Sequence, residues 1–191
     1  MIETLIPSKT RRKILGLFYT NIGSNYHLRK IAREVDEEIN AVKRELDILE
    51  NGGVLHKEKR SNRMIYSINT KYLLFDELLR IFTKENELLK KMFFNHSKLG
   101  KVKFAALSLK FAKRGKLKEG EVALIFVGIV VIPELSAIIA EEEKRRGEEM
   151  NFTVMTEEEF SFRKKSGDPF IWTFLKQPKI MIFGEEEDLV K

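Results

Sequence analysis

The feature that most constrains the fold is a change of hydrophobic period at Gly52-Gly53. Before it, Ile39, Val42, Leu46 and Leu49 recur every three or four residues, which predicts a helix from Glu37 to about Asn51 facing a core. The paired glycines stop that helix. Val54-Leu-His-Lys-Glu-Lys59 and Met64-Ile-Tyr-Ser-Ile68 then read as two strands joined by the polar turn Arg60-Ser61-Asn62-Arg63. A helix that gives way so abruptly to a hairpin requires a mixed α+β unit.

Two further helices are expected upstream. Ser8 is a good N-cap for the first, which runs to about Ile22 with Ile14, Leu15, Leu17 and Phe18 on one face. Gly23-Ser24-Asn25 ends it. The second, His27 to Val35, buries Leu28, Ile31, Ala32 and Val35, and Asp36 is placed to cap the third. Three helices followed by a basic-tipped hairpin resemble small winged helix-turn-helix transcription regulators of the ArsR or MarR type. The resemblance covers roughly residues 8–70. It is carried by Leu28-Arg-Lys-Ile-Ala-Arg33, Asn40-Ala-Val-Lys-Arg-Glu-Leu46 and Leu49-Glu-Asn-Gly-Gly-Val-Leu55.

That resemblance implies double-stranded DNA as partner, with the third helix laid in the major groove. With Ile39, Val42, Leu46 and Leu49 turned inward, Asn40, Lys43, Arg44 and Asp47 project outward. Asn40 suits adenine, and Lys43 or Arg44 suits guanine or a phosphate. Arg60, Asn62 and Arg63 at the hairpin tip are expected at the adjacent minor groove or backbone. Arg29 joins the set from the second helix. Lys9, Arg11 and Arg12 start the first helix, where backbone amides also point at a phosphate. Arg44 has an internal alternative, pairing with Glu37, Glu38 or Glu45. His27 and His56 read as surface or packing residues.

Charge distribution agrees with an anionic partner. Residues 1–99 hold 19 Lys and Arg against 13 Asp and Glu, whereas residues 100–191 hold 16 of each, so the whole excess of +6 lies in the front half. Cysteine is absent, which removes disulfides, thiolate metal sites and cysteine nucleophiles. No signal peptide is read at the start, and the longest apolar run, Val122 to Pro133, is too short to span a bilayer. A cytoplasmic protein without a membrane partner is expected. A charged content of 34%, rich in Lys and Glu with a single glutamine (Gln177), is the balance of proteins from hot environments.

From Tyr72 to about Lys98 one long helix is predicted, with Leu74, Leu78, Ile81, Phe82, Leu88, Leu89, Met92 and Phe93 as a wide apolar stripe. It can pack on either flanking domain or on its counterpart in a second chain. The resemblance implies the last, a homodimer reading a palindrome.

Beyond Leu99 the pattern is of strands alternating with helices. Strands are expected within Val102–Ala112, over Val122–Ile132, over Phe152–Met155 and over Lys179–Phe183. A helix opens at Pro133 and stops at Gly147, with Glu141 to Arg146 solvated. Thr156 caps another, and Asp168-Pro-Phe starts a short one reaching about Lys176. Ala106-Leu-Ser-Leu-Lys-Phe-Ala-Lys-Arg-Gly115 followed by Glu121-Val-Ala-Leu-Ile-Phe-Val-Gly128 resembles the core of a minimal nucleotidyltransferase, across about residues 100–185. That family carries Gly-Ser at the first place and Asp-x-Asp at the second, the carboxylates holding two magnesium ions. Here Leu109-Lys110 and Glu121-x-Ala123 stand instead, and the later strand offers Asn151 or Thr153 for a third acid. The resemblance therefore implies a degenerate domain with no catalytic residue, no metal and no cofactor.

The sequence thus predicts a two-domain α+β chain. Residues 1–71 form a winged-helix DNA-binding domain, 72–98 a connecting helix, and 99–191 a degenerate nucleotidyltransferase-like sheet domain. The expected function is DNA-binding transcriptional regulation, with the tail serving dimerisation, partner binding or sensing. Two alternatives stand beside it: an antitoxin-type interaction protein with a protein partner, and a nucleotidyltransferase with a non-standard site using Glu121.

Overall fold

The computed structural model describes residues 2–191, and the chain divides after Asn86 into two compact units. Both are mixed α+β, and each holds one small sheet.

In the first unit, α1 (Lys9–Thr20) begins where Ser8 accepts the Arg11 amide at 3.2 Å. It is followed by β1 (Tyr26–His27), α2 (Leu28–Val35), α3 (Ile39–Asn51), β2 (Leu55–Arg60), β3 (Arg63–Ile68) and α4 (Phe75–Lys84). The end of α3 has the chemistry expected at Gly52-Gly53. Gly53 takes a left-handed φ of 74°, its amide bonds to Glu50 O (2.9 Å), and the Val54 amide returns to Leu49 O (2.9 Å). This double bond pattern satisfies carbonyls the helix leaves open, and it brings Val54 beside buried Leu49. The hairpin turns in two residues, with Ser61 at φ 52° and Arg60 paired opposite Arg63.

β1 was not expected. Two residues are too few to show a period, yet Tyr26 and His27 pair with Tyr66 and Ile65 and complete the three-stranded order β1-β3-β2. Phe18, Ile14, Ile31, Val42 and Leu46 are fully buried and form the centre of this unit. Phe18 meets Tyr26 edge-on at 5.4 Å.

Three expectations need correction here. The helix predicted over 72–98 is two helices, α4 and α5 (Glu87–Phe94), and the unit boundary falls between them. Asn86 directly precedes α5, a position where asparagine is favoured over a helix interior. Tyr19 stacks on Phe82 at 5.3 Å and touches Phe75 at 5.6 Å, so α4 is part of the first unit's core. The cap of α3 is Glu38, whose carboxylate accepts the Ala41 amide at 2.8 Å. Asp36 instead adopts a left-handed φ of 50° and closes the end of α2. Finally Ile39, assigned to the core by its spacing, stands outward and 38% exposed.

The second unit continues from α5 with β4 (Gly100–Ser108), α6 (Leu109–Ala112), β5 (Leu124–Val130), α7 (Ile132–Arg146), β6 (Phe152–Met155), α8 (Glu157–Lys165), α9 (Pro169–Lys176), β7 (Lys179–Phe183) and α10 (Glu186–Val190). The sheet order is β6-β5-β4-β7, with β5 and β6 parallel and the other pairs antiparallel. Leu124 to Val127 are buried on both faces, as a central strand demands. Ile125 and Val127 join Phe104, Phe160, Ile171 and Phe174 in one apolar cluster. Gly128 takes φ 132° opposite a bulge in β4, and a Cβ there would lie 2.4 Å from Lys101 O, so no other residue fits.

The caps expected at Thr156 and Asp168 are present. Thr156 accepts the Glu159 amide at 3.1 Å, and Asp168 accepts Phe170 N at 2.8 Å and Ile171 N at 3.3 Å. The end of α7 differs from expectation. Glu142 is only 3% exposed and receives Arg145 through two bonds (2.7 and 2.6 Å) and Arg146 Nε at 3.0 Å. The Arg146 guanidinium lies 4.3 Å over the Phe111 ring. Among the described residues no helix is long and apolar enough to cross a membrane.

Candidate nucleic-acid interface

α2 and α3 are joined by only three residues, Asp36 to Glu38, and with the hairpin they line one groove of about 870 Å³. Its cations are Arg29, Lys30 and Arg33 from α2, Lys43 from α3, Lys57 from β2 and Arg63 from β3. No aspartate or glutamate lines it. Arg29 and Arg33 are one helical turn apart and therefore share a face. The side chains of Arg29, Arg33, Lys43 and Arg63 have no ion-pair or hydrogen-bond partner among the described residues, and all four residues are exposed. Lys30 sits 4.9 Å over the Tyr26 ring.

Lys57 is the exception, held at 3.3 Å by Asp47, whose hydrogen bond raises the ammonium above the usual lysine range. Cations gathered on one concave wall create a positive field that reaches about 8–10 Å before salt screens it.

The predicted residues are not all brought together. Arg29, Lys43, Asn62 and Arg63 line the groove. Asn40 and Arg44 stand exposed on α3 beside it, and Arg60 stands at the hairpin tip paired with Glu58. Arg44 also helps hold the Glu38 carboxyl below its ordinary range, after the larger effect of the Asn40 and Ala41 amides.

The cations at the start of α1 have partners within the fold. Arg11 binds Glu45 at 2.7 Å beside Ser8, which donates to the same carboxylate at 2.6 Å. Arg12 donates to Ile6 O and Pro7 O. Lys9 (3.3 Å) and Lys13 (2.7 Å) converge on Glu37, and these bonds, that of Lys13 foremost, lower its carboxyl pKa. These contacts fasten α1 to the loop and helix that follow α2. Lys30, Arg33 and Lys57 were missed by sequence reasoning, although Arg33 stands four residues from Arg29 and carried the signal.

In the second unit, Glu121 is the carboxylate left at the degenerate motif. Lys110 Nζ binds it at 2.6 Å, the Lys118 amide at 2.8 Å and Gln177 Nε2 at 3.4 Å. The Lys110 bond, then the Lys118 amide, hold this carboxyl below the ordinary glutamate range. Leu109 and Ala123 are buried. Among the described residues no group of three or more histidine, aspartate or glutamate side chains is arranged to hold a metal ion. A carboxyl depressed in the fold contributes stability above the ordinary glutamate range, and that contribution fades as pH falls below it. Lys110→Ala is expected to raise the Glu121 pKa while leaving it still depressed by the Lys118 amide. Carboxyl NMR titration measures this, and an unmoved Glu121 would contradict the assigned order of causes.

No protein-family model matches the chain, and no curated protein or solved structure does. Function therefore rests on the geometry of the groove.

Proposed function

We propose that the chain is a DNA-binding regulator whose first unit acts as a winged helix-turn-helix. One observation carries this: six cations and no carboxylate line a groove between α2, α3 and the hairpin. A polyanion is the ligand such a wall takes, because each phosphate neutralised releases condensed counterions. In this reading α3 enters the major groove and presents Asn40, Lys43 and Arg44 to base edges. Arg29, Arg33 and Arg63 flank it and meet phosphates, which fix register without carrying sequence information. Arg11 and Arg12, held by internal bonds, position α1 rather than touch DNA.

Fluorescence anisotropy with duplexes selected from a random pool tests the proposal. Binding is expected to weaken steeply with salt. The variant Arg29→Ala, Arg33→Ala, Arg63→Ala is expected to flatten the slope of log Kobs against log salt by about 2 to 3 for each protomer bound. A slope unchanged by all three substitutions would remove the groove from the interface.

The second unit serves assembly or sensing in this proposal, without nucleotidyl transfer. Glu121 already has an ammonium partner, and Ala123 has no side-chain oxygen to offer a second cation. Homodimerisation is supported by apolar side chains left exposed along 72–98: Leu73 and Leu74 before α4, and Phe93 and Phe94 at the end of α5. Sedimentation of the full chain as a monomer, or labelled-nucleotide incorporation above background with magnesium, would each remove the corresponding part.

A further inference from the structure

Ile39 is the first residue of α3, and its place is odd on α3's own terms. Val42, Leu46 and Leu49 already supply the buried face of that helix. Ile39 stays 38% exposed and lines the groove among its cations, one turn before Lys43 on the same face. A β-branched apolar residue is not favoured in a helix's first turn, where acids and polar groups are preferred. Nor does it add to a positive field.

Ile39 has neither donor nor acceptor on its side chain, so its only attractive contact is with apolar surface. In the major groove of a duplex the apolar group on a base edge is the thymine C5 methyl. We propose that Ile39 is a specificity-determining residue that reads a thymine methyl group. The inference rests on the DNA-binding function proposed above. Asn40, the next residue, supplies hydrogen bonds, whereas Ile39 supplies a contact that only a methyl-bearing pyrimidine completes. Covering the exposed isoleucine with that methyl removes both groups from water, worth about fourfold in affinity for one contacted methyl.

The test uses the tightest duplex selected by the full chain, with each thymine replaced in turn by deoxyuridine. This removes the methyl and leaves every hydrogen-bonding atom in place. The wild-type chain is expected to lose about fourfold at one position of each half-site. Ile39→Ala is expected to bind the thymine duplex more weakly and to show a thymine-to-uracil ratio near one at that position. Its salt slope is expected to stay unchanged. Ile39→Val is expected to keep the preference, and an unchanged melting temperature of both variants shows that the fold is intact.

Neutral replacement at every thymine overturns the inference and leaves DNA binding standing. So does an Ile39→Ala variant that still discriminates at the same position. Failure of the wild-type chain to bind any duplex overturns both.

Discussion

Replacing Lys43 and Arg44 together with alanine is expected to weaken binding to the selected duplex by about 30- to 1000-fold, roughly 2–4 kcal/mol. Both side chains are exposed on the outward face of α3, Lys43 about one turn after Ile39 and Arg44 about one turn after Asn40. Neither carries a hydrogen bond that the fold needs. Alanine is the better helix former, so the variant should melt at or above the wild-type temperature. The loss should also be uneven across sequences. A residue on a base edge costs affinity for the preferred duplex and little for a scrambled one, whereas a phosphate contact costs both alike. Competition between selected and scrambled duplexes measures that difference. Equal losses on the two would place Lys43 and Arg44 on the backbone, and no loss on either would remove α3 from the interface.

The outward side of α3 was legible before the structure because three signals agreed there. Val42, Leu46 and Leu49 fixed the inward face, Gly52-Gly53 fixed the end, and alternation fixed the hairpin. What failed was one level finer. Spacing alone assigns Ile39 to the core, but a residue at the first helical position has no turn before it to fix its direction. Asp36 is the favoured cap type, and only its left-handed turn leaves the capping of α3 to the Glu38 carboxylate.

The basic start of α1 looked like a phosphate contact because its partners, Glu37 and Glu45, lie in another helix and the turn before it. Ion pairs across such distances in sequence have no period to reveal them. The segment 72–98 carried a continuous apolar stripe, and the break at Glu85-Asn86 leaves that stripe intact on both sides. A single unfavourable residue can end a helix without disturbing the pattern that predicted it.

In the second unit the strands and capped helices were legible for the same reasons, while the ion network behind α7 was not. Glu141 to Arg146 is a run of charges, and such a run reads as a solvated face. The structure separates it residue by residue: Glu141 is exposed, and Glu142 is buried at 3% exposure. Helical geometry makes this possible, since neighbours in sequence point about 100° apart around the axis.

Glu142→Ala follows from that burial and is expected to be the most destabilising substitution in the chain's charged set, at about 3 kcal/mol. The carboxylate receives three hydrogen bonds from two guanidinium groups. Arg145 is 39% exposed and can turn to water when the carboxylate is removed. Arg146 cannot. Its side chain is 7% exposed and wedged over Phe111, and its remaining partner, Glu148, sits at 3.3 Å and is shared with Arg114. Burial already pulls the Arg146 pKa down, the direction expected of a charge that has lost water. Deleting Glu142 therefore leaves that charge without its main counter-ion. The cost is largely that of the orphaned cation rather than of the pair, so Glu142→Leu combined with Arg146→Met should recover much of the loss. Urea unfolding of the two variants separates these contributions. A single variant within about 0.5 kcal/mol of wild type, the scale of ordinary surface changes, would show that Glu142 is not the anchor of α7.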